Sequence, residues 1–130
     1  DARRFEVATS CVPLCSGLAV SLELLAAEGS PAQRLERIRT GSQQLWEGLQ
    51  LWSGVQTLLP EPPPAGLVSF SLPASTAGAH ARAVKQLGAQ GLWIRNLDDP
   101  DCLRACTHIT STEAEIDALL EALGQLVTAA

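Results

Sequence analysis

Two pairs of short strand patterns, one on each side of a helical pattern, constrain the fold of this 130-residue chain more than any other feature. Residues 55–59 and 67–72 form the first pair, and residues 92–95 and 103–109 form the second. Residues 67–72 alternate apolar and polar side chains, as a strand with one buried face does. A short loop joins the members of each pair, which favours an antiparallel or mixed four-stranded sheet.

Helical patterns complete the order α-α-β-β-α-β-β-α. Apolar residues at helical spacing predict helices over residues 13–28, 31–52 and 75–90. A capping box over residues 110–113 predicts the start of a fourth helix, with Ile116 on its apolar face. The predicted fold class is therefore α/β (α+β), with the sheet covered by helices.

Composition excludes several classes of protein. The hydrophobic fraction of 46% and the charged fraction of 18% are typical of a packed domain. The net charge of −5 lacks the basic footprint of a nucleic-acid-binding protein, and apolar runs are shorter than the ~20 residues of a membrane span. Residues 1–5 do not resemble a signal peptide, and without an initiator Met they indicate a fragment boundary. We expect a cytoplasmic protein that binds neither nucleic acid nor membrane.

The four cysteines do not predict a metal site. Cys102 and Cys106 would share one face of a strand about 13 Å apart, too far to bind one metal or to form a disulfide. Cys11 and Cys15 could share a helix face, but Pro13 lies between them. No histidine or carboxylate cluster completes either pair. We expect free, mostly buried thiols and no bound metal.

The two histidines offer a weak candidate for nucleophilic catalysis. His80 lies between two alanines of a helix and is expected to be exposed. His108 and Cys106 would lie on the same face of a strand, so a thiol–imidazole pair is possible there. No orienting group accompanies that pair in the sequence.

Two arginines are more informative. Arg95 ends one apolar strand and Arg104 lies inside the next. A guanidinium stays charged and is costly to bury without a partner, so both arginines need anions nearby. One explanation is pairing with the acidic turn at residues 98–101. The other is that one or both arginines face a cleft and bind a ligand carboxylate through two parallel hydrogen bonds.

Motifs in matching order resemble a known enzyme family. They are Arg4-Phe5-Glu6-Val7-Ala8-Thr9, Gly17-Leu18-Ala19, Ala65-Gly66-Leu67-Val68-Ser69-Phe70, Leu92-Trp93-Ile94-Arg95 and Thr112-Glu113-Ala114-Glu115-Ile116-Asp117. Together they resemble the C-terminal (small) domain of class V aminotransferases and cysteine desulfurases, which are fold-type I enzymes dependent on pyridoxal phosphate (PLP). Within that family, residues 8–10 and 99–106 are similar to cyanobacterial cystine C–S lyases.

The resemblance implies roles for three residues and a class of reaction. Arg95 and Arg104 match arginines that bind the substrate carboxylate, and Thr9 matches a threonine that reaches the cofactor phosphate of the neighbouring subunit of a homodimer. Desulfurases carry a nucleophilic cysteine shortly before the substrate arginine, whereas residues 76–94 contain none. The resemblance therefore implies a lyase acting on cysteine or cystine. An aminotransferase, an epimerase, a desulfurase and a non-catalytic binding module of the same fold remain alternatives.

The cofactor's lysine has no counterpart in this sequence. A PLP enzyme needs a lysine to bind the cofactor covalently, and in this family that lysine lies upstream in a large domain. Lys85 is the only lysine and lies in a predicted helix without a neighbouring motif. We expect residues 1–29 to be an entry segment and interdomain helix and residues 30–130 to be the small domain. Its partners would be an N-terminal PLP-binding domain and a small amino-acid substrate. The chain by itself is expected to bind no PLP and to be inactive.

Overall fold

The computed structural model of the chain describes residues 11–73 and 78–128. The chain divides into two compact units, Asp1–Arg34 and Leu35–Ala130. The predicted entry segment before residue 11 lies outside the described residues.

The first unit contains helix α1 (Val12–Ala27) and the first residues of helix α2 (Pro31–Leu49). Ser30 caps α2 as predicted, since its hydroxyl accepts the backbone N–H of Gln33 at 3.3 Å and its own N–H donates to Gln33 Oε1 at 2.8 Å. Every residue of α1 is exposed. Within the described residues no single helix has the length and apolar character to cross a membrane, although α1 and α2 taken as one broken pair meet those two criteria.

The second unit holds a four-stranded antiparallel sheet in the order β1-β2-β4-β3. Its elements are β1 (Gln56–Thr57), β2 (Leu67–Ser71), α3 (Ala79–Ala89), β3 (Arg95–Asp98), β4 (Asp101–Cys106) and α4 (Glu113–Thr128). The predicted fold class and element order are confirmed, and of the two sheet types considered the antiparallel one is found.

The second strand pair lies a few residues from its predicted position. The strand predicted at 92–95 is β3 at 95–98, and the strand predicted at 103–109 is β4 at 101–106. Asp98 pairs with Asp101, so the hairpin turn contains only two residues. Leu92 is held at the end of α3, where its N–H donates to Leu87 O at 3.0 Å. Leu92 therefore packs on the core before the strand begins.

One hydrophobic core lies between the helices and a single face of the sheet. Val68 and Phe70 of β2 and Leu103 and Ala105 of β4 point into it. The helices contribute the remaining buried apolar side chains, namely Leu45, Leu49, Ala83, Leu87, Ile116, Leu119, Ala122 and Leu123. Because successive strand residues point to opposite faces, the intervening residues of β2 and β4 occupy the other face of the sheet.

The expectation that His80 is exposed is wrong. Its exposed fraction is 2%, and its ring joins three elements. Nε2 accepts the backbone N–H of Leu72 at 3.2 Å, and Nδ1 lies 2.7 Å from Oδ1 of Asp101. Since Nε2 accepts, Nδ1 carries the proton and donates to the carboxylate. His80, Ala83 and Leu87 lie on the same buried face of α3. Helical periodicity identifies that face, but it does not show that a histidine can occupy one of its buried positions.

The capping box of α4 lies two residues after its predicted position. Glu115 N–H donates to Thr112 Oγ1 at 3.2 Å, and Thr112 N–H donates to Glu115 Oε2 at 2.8 Å. Thr112 is therefore the N-cap residue and Glu115 completes the reciprocal pair. Replacing Thr112 with alanine is expected to lower the free energy of unfolding by about 1 kcal/mol, measured by urea denaturation at pH 7.

Thr110→Ala is the matched control, because Thr110 begins the box predicted from the sequence, but among the described residues its hydroxyl hydrogen-bonds only with the His108 ring. The loss of unfolding free energy in Thr112→Ala also depends on pH. Hydrogen bonds from the backbone and hydroxyl of Thr112 lower the pKa of Glu115, so their stabilisation is present above the ordinary carboxyl pKa and is lost as pH falls through the lowered value. An equal loss for both variants, or a Thr112→Ala penalty that grows below about pH 4, would contradict the assignment.

Candidate functional site

The face of the sheet away from the helical core carries the residues of chemical interest. We call it the arginine face and define it by Arg95, Ser69, Arg104, Cys102 and Cys106. The register of the strands brings three of these residues next to one another. Ser69 pairs with Arg104, and Arg104 pairs with Arg95, across neighbouring antiparallel strands. Directly paired residues point to the same face, so Ser69, Arg104 and Arg95 form one row across β2, β4 and β3.

The two arginines are adjacent and lack anions of their own. Arg95 is exposed and Arg104 is half-buried. Among residues 11–73 and 78–128, neither guanidinium has a hydrogen-bond or ion-pair partner. Like charges directly opposite each other across two strands are destabilising. This row is therefore a place where a bound anion would relieve repulsion between two guanidinium groups.

The acidic hairpin does not supply that anion. In the described part of the chain, no carboxylate of Asp98, Asp99 or Asp101 lies within ion-pair distance of Arg95 or Arg104. Asp101 instead binds His80. The alternation of side chains along β4 explains why Asp101 does not pair with Arg104. Asp101 points to the same side of the strand as Leu103 and Ala105, opposite to Arg104.

The cysteines of β4 lie on either side of Arg104, and both are free. Cys102 is fully buried, and burial raises the pKa of its thiol; Asp101 adds to that effect and Arg104 opposes it. Cys106 is exposed, and its sulfur lies 3.7 Å from the carbonyl oxygen of Thr107. Cys11 and Cys15 are exposed as well, so the expectation of mostly buried thiols is wrong. The described residues contain no group of three or more potential metal ligands.

The thiol–imidazole pair considered from the sequence is not formed in the described structure. Strand β4 ends at Cys106, so the alternation that would have brought His108 to the same face stops there. The His108 ring contacts Thr110 Oγ1 at 3.2 Å, and its backbone N–H donates to Ser111 Oγ at 2.9 Å. His108 belongs to the turn before α4.

The described residues do not fit a PLP-binding site. Lys85 is exposed on α3, whereas a lysine that binds PLP must lie within a cleft beside groups for the pyridine ring and phosphate. Thr9, the predicted contact to the cofactor phosphate, lies outside the described residues. A cleft of about 290 Å³ does open beside residues 91–94 and the start of α4, but Lys85 is not among its lining residues.

Comparisons with known proteins were made by sequence and by structure. No protein-family model matches the chain. Isopenicillin N epimerase of Amycolatopsis lactamdurans is 34% identical over 125 residues, which cover 87% of this chain and 29% of the epimerase. A structure of a C-DES mutant with glycine covalently linked to its PLP cofactor has a TM-score of 0.83 and 38% identity, over 96% of this chain and 31% of C-DES.

Two further structures have the same fold. Cystine C–S lyase C-DES in complex with its reaction product cysteine persulfide also gives a TM-score of 0.83 at 38% identity, over 96% of this chain and 32% of that chain. The cysteine desulfurase CsdA of Escherichia coli gives 0.77 at 22% identity, over 95% of this chain and 32% of CsdA, a likeness of fold alone. This chain spans less than a third of the length of these relatives.

The fold is thus that of one domain of PLP-dependent enzymes. More particularly, the resemblance recognised in the sequence is confirmed: the chain is similar to PLP-dependent class V enzymes of the cystine lyase and cysteine desulfurase group. The share of those enzymes that it covers fits their C-terminal domain.

Proposed function

We propose that this chain is the C-terminal domain of a PLP-dependent lyase that cleaves a C–S bond of cystine or cysteine. Its part in the reaction is to bind the substrate carboxylate through Arg95 and Arg104. The observation that carries the proposal is the pairing of two arginines across neighbouring strands, neither with an anion partner among the described residues. PLP and the lysine that binds it come from outside these 130 residues.

The arrangement of the arginines suits a carboxylate better than an isolated surface arginine would. Each guanidinium offers donors in a planar fork that matches the two oxygens of a carboxylate. Arg104 lies in the central pairing of the sheet, and its half-burial reduces competition from water.

The exposed apolar surface of α1 supports the proposed organisation of the complete protein. Residues 1–29 would be the entry segment and interdomain helix, and residues 30–130 would be the small domain. Leu14, Leu18, Leu22 and Leu24 of α1 are all more than half exposed, and its apolar residues lie on all sides of the helix. A helix that is apolar all round normally lies buried. We propose that α1 packs on the PLP-binding domain in a homodimer, where Thr9 reaches the phosphate of the neighbouring subunit.

The isolated chain is proposed to be inactive, because Lys85 is exposed and has no cofactor site around it. The test is to mix the purified 130-residue chain with PLP, remove free PLP by gel filtration, and record visible absorbance. We expect no retained cofactor band. A retained band that disappears in Lys85→Ala would overturn this part of the proposal.

The reaction class is tested by product analysis on the complete, PLP-loaded protein. When L-cystine is supplied, a lyase releases pyruvate, ammonia and cysteine persulfide in equal amounts. A desulfurase acting on cysteine instead releases alanine and leaves sulfur on the enzyme. Alanine with no pyruvate would contradict the lyase assignment.

An epimerase is a second candidate, favoured by the 34% identity to isopenicillin N epimerase. An epimerase moves the α-proton of an amino acid and returns it to the opposite face without breaking a C–S bond. The same incubations therefore distinguish it, since substrate recovered with inverted configuration and no pyruvate would establish epimerisation.

A further inference from the structure

We infer that Ser69 is a third substrate-binding residue, one whose hydroxyl donates a hydrogen bond to the carboxylate held by Arg104. The inference rests on the proposed function and deepens it. Ser69 lies directly opposite Arg104 on β2, while Arg95 lies opposite Arg104 on β3. Arg104 is therefore flanked on its two sides by a second cation and by a small hydroxyl.

The hydroxyl of Ser69 is available for such a bond. Ser69 is half-buried, and its backbone carbonyl accepts the N–H of Leu58 at 2.9 Å. Among the described residues its Oγ has no hydrogen-bond partner. A hydroxyl beside a cation, without a partner among the described residues, is free to donate to an anion that the cation holds.

The composition of β2 supports a ligand-binding role for this face. Val68 and Phe70 point into the core, whereas Ser69 and Ser71 occupy the opposite face. Serine has no special preference for strands, where valine and threonine are favoured for packing. Its small side chain leaves space above Arg104 that a branched apolar residue would fill. The row can therefore admit a carboxylate between Ser69 and the two guanidinium groups.

The geometry assigns each donor a different part in binding. The guanidinium of Arg104 can hold both oxygens of a carboxylate, and Arg95 approaches from the outer strand. Ser69 lies one strand inward, about 4.8 Å from β4 in backbone spacing, within reach of the same carboxylate. A hydroxyl donor fixes the rotation of that carboxylate on Arg104, so Ser69 acts in substrate positioning and touches no bond that breaks.

The test compares Ser69→Ala with Ser71→Ala in the complete, PLP-loaded protein. Ser71 is the matched control, since it is the same residue two positions along the same strand and face but is not paired with Arg104. We expect Ser69→Ala to lower kcat/KM for L-cystine about 10-fold, mainly through KM, because a hydrogen bond to a charged group is lost. Ser71→Ala should change it less than about 2-fold, because Ser71 is not paired with Arg104.

A decarboxylated ligand separates substrate contact from a structural effect. Cystamine has the disulfide and amines of cystine but no carboxylates. Its inhibition constant should be the same for Ser69→Ala and the unaltered protein if Ser69 binds a carboxylate. Equal weakening of cystine and cystamine, or equal losses in the Ser69 and Ser71 variants, would overturn the inference.

The outcome also distinguishes this inference from the proposed function. If Arg104→Lys lowers kcat/KM for cystine while Ser69→Ala leaves it unchanged, the arginine clamp stands and the role of Ser69 is refuted. If neither variant affects cystine turnover, the carboxylate clamp itself is refuted.

Discussion

Replacing Arg95 or Arg104 with lysine in the complete enzyme is expected to lower kcat/KM for cystine by about 10- to 150-fold with little change in melting temperature. Lysine keeps the positive charge but cannot make two parallel hydrogen bonds to one carboxylate. A hydrogen bond to a charged group contributes roughly 1.5–3 kcal/mol, which corresponds to that range. Because neither guanidinium has a polar partner among the described residues, the substitutions remove no described hydrogen bond or ion pair.

Arg39→Lys serves as the control for the substitution itself. Arg39 Nε donates to the carbonyl of Pro64 at 2.7 Å, away from the arginine face. This change should leave cystine turnover intact and slightly lower the melting temperature. Steady-state kinetics with cystine and cysteine, alongside thermal unfolding of each variant, make the comparison. If both Arg95→Lys and Arg104→Lys lower the melting temperature and leave kcat/KM unchanged, the arginines are structural and the carboxylate clamp is wrong.

Gly66→Ala adds a single methyl group and is expected to lower the free energy of unfolding strongly. A Cβ at Gly66 would lie 2.2 Å from the carbonyl oxygen of Thr107 and 2.8 Å from Cγ2 of Ile38. The first of these is backbone and is itself fixed, since Thr107 N–H donates to Gly66 O at 2.8 Å and its hydroxyl donates to Ile38 O at 3.0 Å. Overpacking against a fixed backbone should cost about 3 kcal/mol or more.

Thermal unfolding measures that loss, and we expect the melting temperature to fall by more than about 10 °C. Gly17→Ala is the matched control, because none of the described residues outside its own helix turn lies within 4 Å of a Cβ at that exposed position. It should leave stability unchanged or raise it, since alanine favours a helix over glycine. A Gly66→Ala variant as stable as Gly17→Ala would show that the junction between β2 and the end of β4 is loosely packed.

The sequence predicted the order of elements well because apolar periodicity reports which face of each element is buried. It misplaced β3 because Leu92 and Ile94 are apolar for packing on the core outside the strand, and it extended β4 to Ile109, which lies beyond the strand end at Cys106. The pattern shows that such residues are buried but not which backbone conformation buries them. The exact turn between β3 and β4 became visible only from the pairing of Asp98 with Asp101.

The candidate site was only partly accessible from the sequence. Arg95 and Arg104 stood out because charged residues within apolar strands need an explanation, and strand register now places them side by side. Ser69 was missed because a serine in a strand is unremarkable until its cross-strand partner is known. The His80–Asp101 pair joins residues 21 positions apart, a contact that no local pattern encodes.

The most direct test of the central claim is a crystal structure of the complete, PLP-loaded protein with cystine bound. The account predicts a substrate carboxylate on the arginine face, with its oxygens about 2.7–2.9 Å from guanidinium nitrogens of Arg104 or Arg95. A carboxylate bound elsewhere, with both arginines turned to the acidic hairpin at residues 98–101, would contradict the account.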